Sequence, residues 1–134
     1  VLGALDENMF PENGLEHDLI FLQKIFKKGV RICLDTAHFY VASLRAGRDF
    51  YEDLDVLLRK HVALIGHMHI ADITENLHDT NIGEGEIDFF KAMPIISRYY
   101  KGVAVVEVPV DKQFDSLHRL KQIMSVVSKE KREK

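Results

Sequence analysis

Gly29-Val30-Arg31-Ile32-Cys33-Leu34-Asp35-Thr36-Ala37-His38 decides the fold class. A glycine suited to ending a helix is followed by a short, mostly apolar run at 30–34 and then by a polar turn. An apolar run of that length, bounded by turn signals and feeding an amphipathic stretch, reads as a buried strand entering a helix. The same pattern recurs at 1–5, 62–66 and 103–106. A first helix is expected over 15–28, with Leu15, Leu19, Leu22, Ile25 and Phe26 on one face and Gly29 at its C′-like end. A second is expected over 49–59, after a helical turn within 39–47. The third begins near Asp88, carries Phe89, Phe90, Met93 and Ile96 on its apolar face, and stops at Gly102, with Pro94 marking a kink or break. The fourth starts near Phe114 and turns Leu117, Leu120, Ile123, Met124 and Val127 inward.

Regular alternation of strand and helix requires a parallel sheet. Strands that are apolar almost throughout imply cover on both faces, as in a doubly wound sheet or a (β/α)8 barrel. Four strands are too few to close such a barrel, which takes eight at its usual tilt. The expectation is therefore an α/β chain of four consecutive βα units over 1–134, a single domain equivalent to half a barrel or to an open sheet.

Composition narrows the function. Of 134 residues, 46% are hydrophobic and 29% charged, and 18 Lys+Arg stand against 21 Asp+Glu for a net charge of -3. Nucleic acid is not expected as a partner, because tight binding rests on clustered basic residues that neutralise phosphates. The basic residues of 129–134 are interleaved with glutamates and read as a solvated helix end. The single cysteine, Cys33, lies in an apolar run and offers no disulfide framework, which favours a reducing cytoplasm. No apolar run approaches the roughly 18 residues of a membrane span, so no membrane is expected.

Polar residues gather where the strands end: Asp6-Glu7-Asn8, Asp35-Thr36-Ala37-His38, His67-Met68-His69-Ile70-Ala71-Asp72, and Glu107. In parallel α/β folds those ends form the ligand face, so these groups converge. Two glutamates, one aspartate and one imidazole make an oxygen-rich set that suits Mn, Mg, Co or Zn. Three carboxylates within a few ångströms would disfavour their joint ionisation, and a cation relieves that conflict. Each residue also has a plainer reading. Glu7 and Glu107 alone could be solvated, and Asp35 could simply cap the next helical turn. His67 and His69 point to one face of a strand, so one can bind an ion while the other packs. His17, His61 and His118 read as surface or packing residues. The string Asn81-Ile82-Gly83-Glu84-Gly85-Glu86-Ile87-Asp88-Phe89 lacks the lysine and glycine spacing of a phosphate-cradling loop.

In this order and spacing, Leu5-Asp6-Glu7-Asn8-Met9, Leu34-Asp35-Thr36-Ala37-His38, His67-Met68-His69-Ile70-Ala71-Asp72, Asn81 to Phe89 and Val105-Val106-Glu107-Val108-Pro109 resemble the xylose isomerase-like TIM-barrel superfamily. That group includes sugar isomerases and epimerases, inosose dehydratase and endonuclease IV. The resemblance covers essentially the whole chain and corresponds to the C-terminal half of the barrel. It implies Glu7, Asp35, His69 and Glu107 as ligands of one divalent metal ion, and His38 as a substrate-binding histidine. The endonuclease branch places an Asp-x-His before its Asn-Ile-Gly string; here Leu77-His78-Asp79-Thr80-Asn81 has the two residues reversed and out of register.

The resemblance further implies a sugar or polyol substrate and isomerase or epimerase chemistry. Glu7 and Glu107 would be the catalytic pair, taking and returning a proton through an enediolate. The alternatives are an endonuclease IV-like zinc phosphodiesterase acting at abasic sites, and a barrel fragment without turnover. An open sheet exposes edges and an apolar interior, so self-association, or a partner supplying the other half-barrel, is expected.

Overall fold

The computed structural model describes residues 31–76 and 78–130, together with Lys24, Lys27 and Gly29. The strand expected at 1–5, the helix at 15–28 apart from Lys24 and Lys27, and Glu7 lie outside the described residues. From Ile32 onward the order is β1 (Ile32–Asp35), α1 (Thr36–Arg45), α2 (Phe50–His61), a 3-10 turn (Val62–Leu64), β2 (Ile65–Ile70), β3 (Asp72–Ile73), β4 (Asp79–Thr80), α3 (Phe89–Tyr99), β5 (Ala104–Val106), a 3-10 turn (Val110–Lys112) and α4 (Gln113–Glu130).

β1, β2 and β5 form a parallel sheet in chain order, so each new strand is added beside the last across a helical crossover. Among the described residues this sheet is unclosed, an α/β arrangement consistent with part of a (β/α) barrel. The register sets Asp35 beside His69 and His69 beside Val105. The strands' carboxyl ends are therefore level, which is what gathers the polar residues on one side. A short antiparallel pair, β3 with β4, stands beyond the end of β2.

The helices cover one sheet face. Leu34, Met68 and Ile70 point into a core with Phe39, Leu54, Leu57, Leu58, Phe89, Ala92 and Ile96, all buried. Burying each of the larger side chains among them contributes about 1.5–3 kcal/mol. α1 and α2 are further tied by Asp53, a buried carboxylate that accepts hydrogen bonds from Ser43 Oγ and Arg48 Nε, both at 2.8 Å. On the opposite face His67 and His69 are partly exposed, and Val103 and Val105 are exposed. The expectation of cover on both faces is therefore not met at β5 among the described residues: Val103 and Val105 are apolar enough to resemble buried positions, yet they are exposed.

Several boundaries differ from the sequence reading for local reasons. Residues 62–64 form a 3-10 turn, so β2 starts at Ile65 and the histidines lie within the strand. α1 begins at Thr36, directly after β1, because Asp35 caps it. α3 runs through Pro94 and ends at Tyr99. The apolar stripe of α4 is narrower than its sequence: Ile123 and Val127 are buried, whereas Leu117 is exposed, as is Phe90 on α3. None of the described helices is long and apolar enough to cross a membrane.

Candidate metal centre

Asp35 is the last residue of β1 and the N-cap of α1, and the two roles use different oxygens. Oδ1 accepts the His38 amide hydrogen at 3.0 Å, satisfying one of the orphan donors at a helix start. Oδ2 lies 3.9 Å from His69 Nδ1 on the adjacent strand. Capping and ion binding, alternatives when only the sequence is read, are compatible in the folded chain.

Glu107 directly follows β5. Its amide donates to the Ile70 carbonyl at 3.0 Å, which extends the β2–β5 ladder by one residue and fixes where the side chain departs. The Glu107 carboxylate Oε2 contacts His69 Nδ1. Asp35, His69 and Glu107 each present one donor atom, and these atoms lie within 4.8 Å of one another. The set grades outward: Asp35 is 4% exposed, His69 32% and Glu107 58%, measured on side chains, so the centre opens toward Glu107.

Burial pushes the Asp35 carboxyl above the usual aspartate range; the His38 amide bond and the His38 charge pull it back down, and the neighbouring Glu107 charge pushes it up again. Cys33, beneath this cluster on β1, has its thiol raised by burial first and then by Asp35 and Glu107. A divalent cation fits these donors on two grounds. It would offset the charge that Asp35 carries in a poorly solvated place, and two carboxylates with one imidazole are the ligand chemistry of Mn, Mg, Co and Zn.

The structure brings together three of the four residues expected to bind a metal; Glu7 lies outside the described residues. His38 is exposed on the first turn of α1, beside the cluster but not among its three donors. His67 stands edge-on to His69, with ring centroids 5.3 Å apart and planes at 90°. His78 and Asp79 are exposed on the β3–β4 hairpin and join no cluster among the described residues.

Two supporting residues were not legible as such. Thr36 is fully buried, and its hydroxyl bonds to both the amide and the carbonyl of Ala71. Asp72, also fully buried, accepts four backbone hydrogens: from Ile73 at 2.9 Å and Ile87 at 3.1 Å on Oδ1, and from Gly83 at 2.8 Å and Gly85 at 3.0 Å on Oδ2. Asp72 thereby holds the loop of 81–88, whose sequence shows only that it lacks phosphate-cradling spacing. The two glycines serve differently: at Gly85 the absence of a Cβ lets the backbone approach the carboxylate, and at Gly83 it permits a φ of +82°. A glycine pair downstream of a strand-end aspartate was the available signal. The far side of the loop is held to α4, where Ile82 N–H donates to Ser116 Oγ at 3.2 Å and Arg119 Nη2 to Glu84 at 2.7 Å.

No curated protein matches the sequence. A family model described as xylose isomerase-like TIM barrel matches residues 6–129, and the chain belongs to that family.

Proposed function

We propose that this chain carries the metal centre of a divalent-metal-dependent sugar or polyol isomerase or epimerase. The observation that carries the reading is the convergence of Asp35, His69 and Glu107 from three parallel strand ends onto one point. Glu7, at the end of the strand expected before β1, is proposed as the fourth ligand. The ion would be Mn, Zn, Co or Mg, and when bound it would supply charge stabilisation for an enediolate.

The chain's own groups would do the rest. Glu107, the most exposed of the three donors, is positioned to exchange a proton with a substrate carbon, with Glu7 as its counterpart. Asp35, held by the His38 amide, would stay fixed throughout. His38, at the rim, is proposed to donate or accept a hydrogen bond with a substrate hydroxyl. Cys33 as a buried, unpaired thiol supports a cytoplasmic setting.

We further propose that residues 1–134 form one half-barrel domain and that further strands complete the sheet beside β5. The exposed Val103 and Val105 support this reading.

The test is a panel of ketoses, aldoses and cyclic polyols incubated with Mn-loaded protein of measured solution mass. Interconversion that is lost in Glu107→Gln supports the reading; no turnover of any sugar, together with cleavage of an abasic-site duplex, replaces it with the phosphodiesterase alternative. Neither the net charge of -3 nor the exposed His78 and Asp79 favours that alternative.

A further inference from the structure

β1 gives way to helix after Asp35, whereas the chain of β2 runs on past Ile70. Ile70 turns its carbonyl to the Glu107 amide on the β5 side. The next residue, Ala71, has its amide and carbonyl matched by a side chain instead of a strand. Thr36 Oγ1 donates to the Ala71 carbonyl at 2.7 Å and accepts from the Ala71 amide at 2.9 Å. The residue is 0% exposed, and its β-branched side chain has few rotamers to choose among.

We propose that Thr36 is a positioning residue for the metal centre, acting through Ala71 to fix the spacing of Asp35 and His69. The proposal rests on the metal reading given above. Thr36 follows Asp35 directly, and Ala71 lies two residues beyond His69, so the paired bonds bracket the two ligands. The β1–β2 ladder sets Asp35 beside His69 from below, in unbroken register from Cys33, and the Thr36–Ala71 pair closes it from above, where β1 has already turned into helix. Asp72, next to Ala71, is itself immobilised by four backbone donors, so the clamp is anchored to a rigid point.

A hydroxyl that only satisfied buried backbone groups would affect folding stability and leave the ligand geometry unchanged. The experiment titrates Co(II) into the 134-residue chain and its Thr36→Ser, Thr36→Val and Thr36→Ala variants, reading Kd and the visible absorption of the bound ion. Far-UV circular dichroism selects a temperature at which the variants are folded, and amide exchange at Ala71 reports the clamp without reference to metal. Thr36→Ser is expected to bind within about threefold of the parent with the same spectrum, and the hydroxyl-free variants about 10–100-fold more weakly with altered bands. Parent-like Kd and spectrum in Thr36→Val or Thr36→Ala, alongside faster Ala71 exchange, overturns the clamp alone. Should neither of these fold, Thr36→Ser decides: Kd and spectrum that follow Ala71 exchange, shifting with it or staying parent-like with it, support the proposal, and one moving without the other overturns it. Absence of Co(II) binding by the parent chain overturns the metal reading and the clamp with it.

Discussion

Asp35 and His69 face each other in register on neighbouring parallel strands, 3.9 Å apart from Oδ2 to Nδ1, while the other Asp35 oxygen is occupied by the His38 amide. The pairing gives one Asp35 oxygen to the fold and leaves the other for the proposed ligand role, and asparagine at this position should separate the two experimentally.

Burial raises the Asp35 carboxyl above its ordinary value, so its contribution to stability is fully present below the unfolded value of about 3.9 and is lost as pH rises through the raised folded value. Metal-free parent protein is therefore expected to lose stability over that window. Asp35→Asn, which keeps a capping oxygen, should lack this part of the slope, be at least as stable as the parent at neutral pH, and hold no metal. Thermal midpoints in chelator from pH 4 to 8, with elemental analysis, check all three outcomes.

A metal that binds only the folded chain stabilises it by mass action. Mn or Co at about 100 times its Kd should raise the unfolding free energy by about 2.7 kcal/mol. His69→Ala should abolish the increment, and excess chelator should reverse it in the parent. A midpoint in the parent unmoved by any of the four ions would count against the centre.

Asp72 offers a structural prediction. Asp72→Ala strands four buried or partly buried amide hydrogens, and the cost is expected to be about 3 kcal/mol or more in urea unfolding. Gly85→Ala attacks the same point from the other side, since a Cβ there would run into Asp72 Oδ1 and the Ile73 carbonyl oxygen. It should cost about 1–3 kcal/mol. Because both changes spoil one network, the double variant should lose clearly less than the two costs added together.

The tether from the loop to α4 gives a prediction of opposite pH sense. Glu84 is held below the usual glutamate range by its hydrogen bond from Asn81 and then by Arg119. Its contribution is present above the unfolded value and lost as pH falls through the lowered folded one. Acidification should therefore lower the protection factors of the Ile82 and Glu84 amides, taken relative to the intrinsic exchange rate at each pH, and Glu84→Gln should flatten that dependence.

The parallel α/β character was legible because periodicity and strand-end polarity agree in each unit of the sequence; strand ends that share a side pointed to Asp35, Glu107 and the histidines of β2, and the family resemblance chose His69 over His67. What escaped the sequence depended on which sheet face meets the helices. Val103 and Val105 are as apolar as Leu34 and Met68, and no local pattern separates an outward valine from an inward methionine. Leu117 and Phe90 misled for the same reason, each sitting at a helical spacing that the packing leaves uncovered. The hydroxyl of Thr36 and the carboxylate of Asp72 were hidden differently, since their partners lie 35 and up to 15 residues away and only the tertiary fold supplies them.

The three donors come from separate strand-helix units, so an unfolded chain has none of them in place and a chain with only β1 and β2 docked still lacks Glu107. Ion capture then belongs to the last stage of folding, after β5 has joined β2. In kinetic terms the ion should leave the refolding rate nearly unchanged and slow unfolding, lengthening the lifetime of the native state. The centre would act as a latch on the finished sheet and take no part in its nucleation.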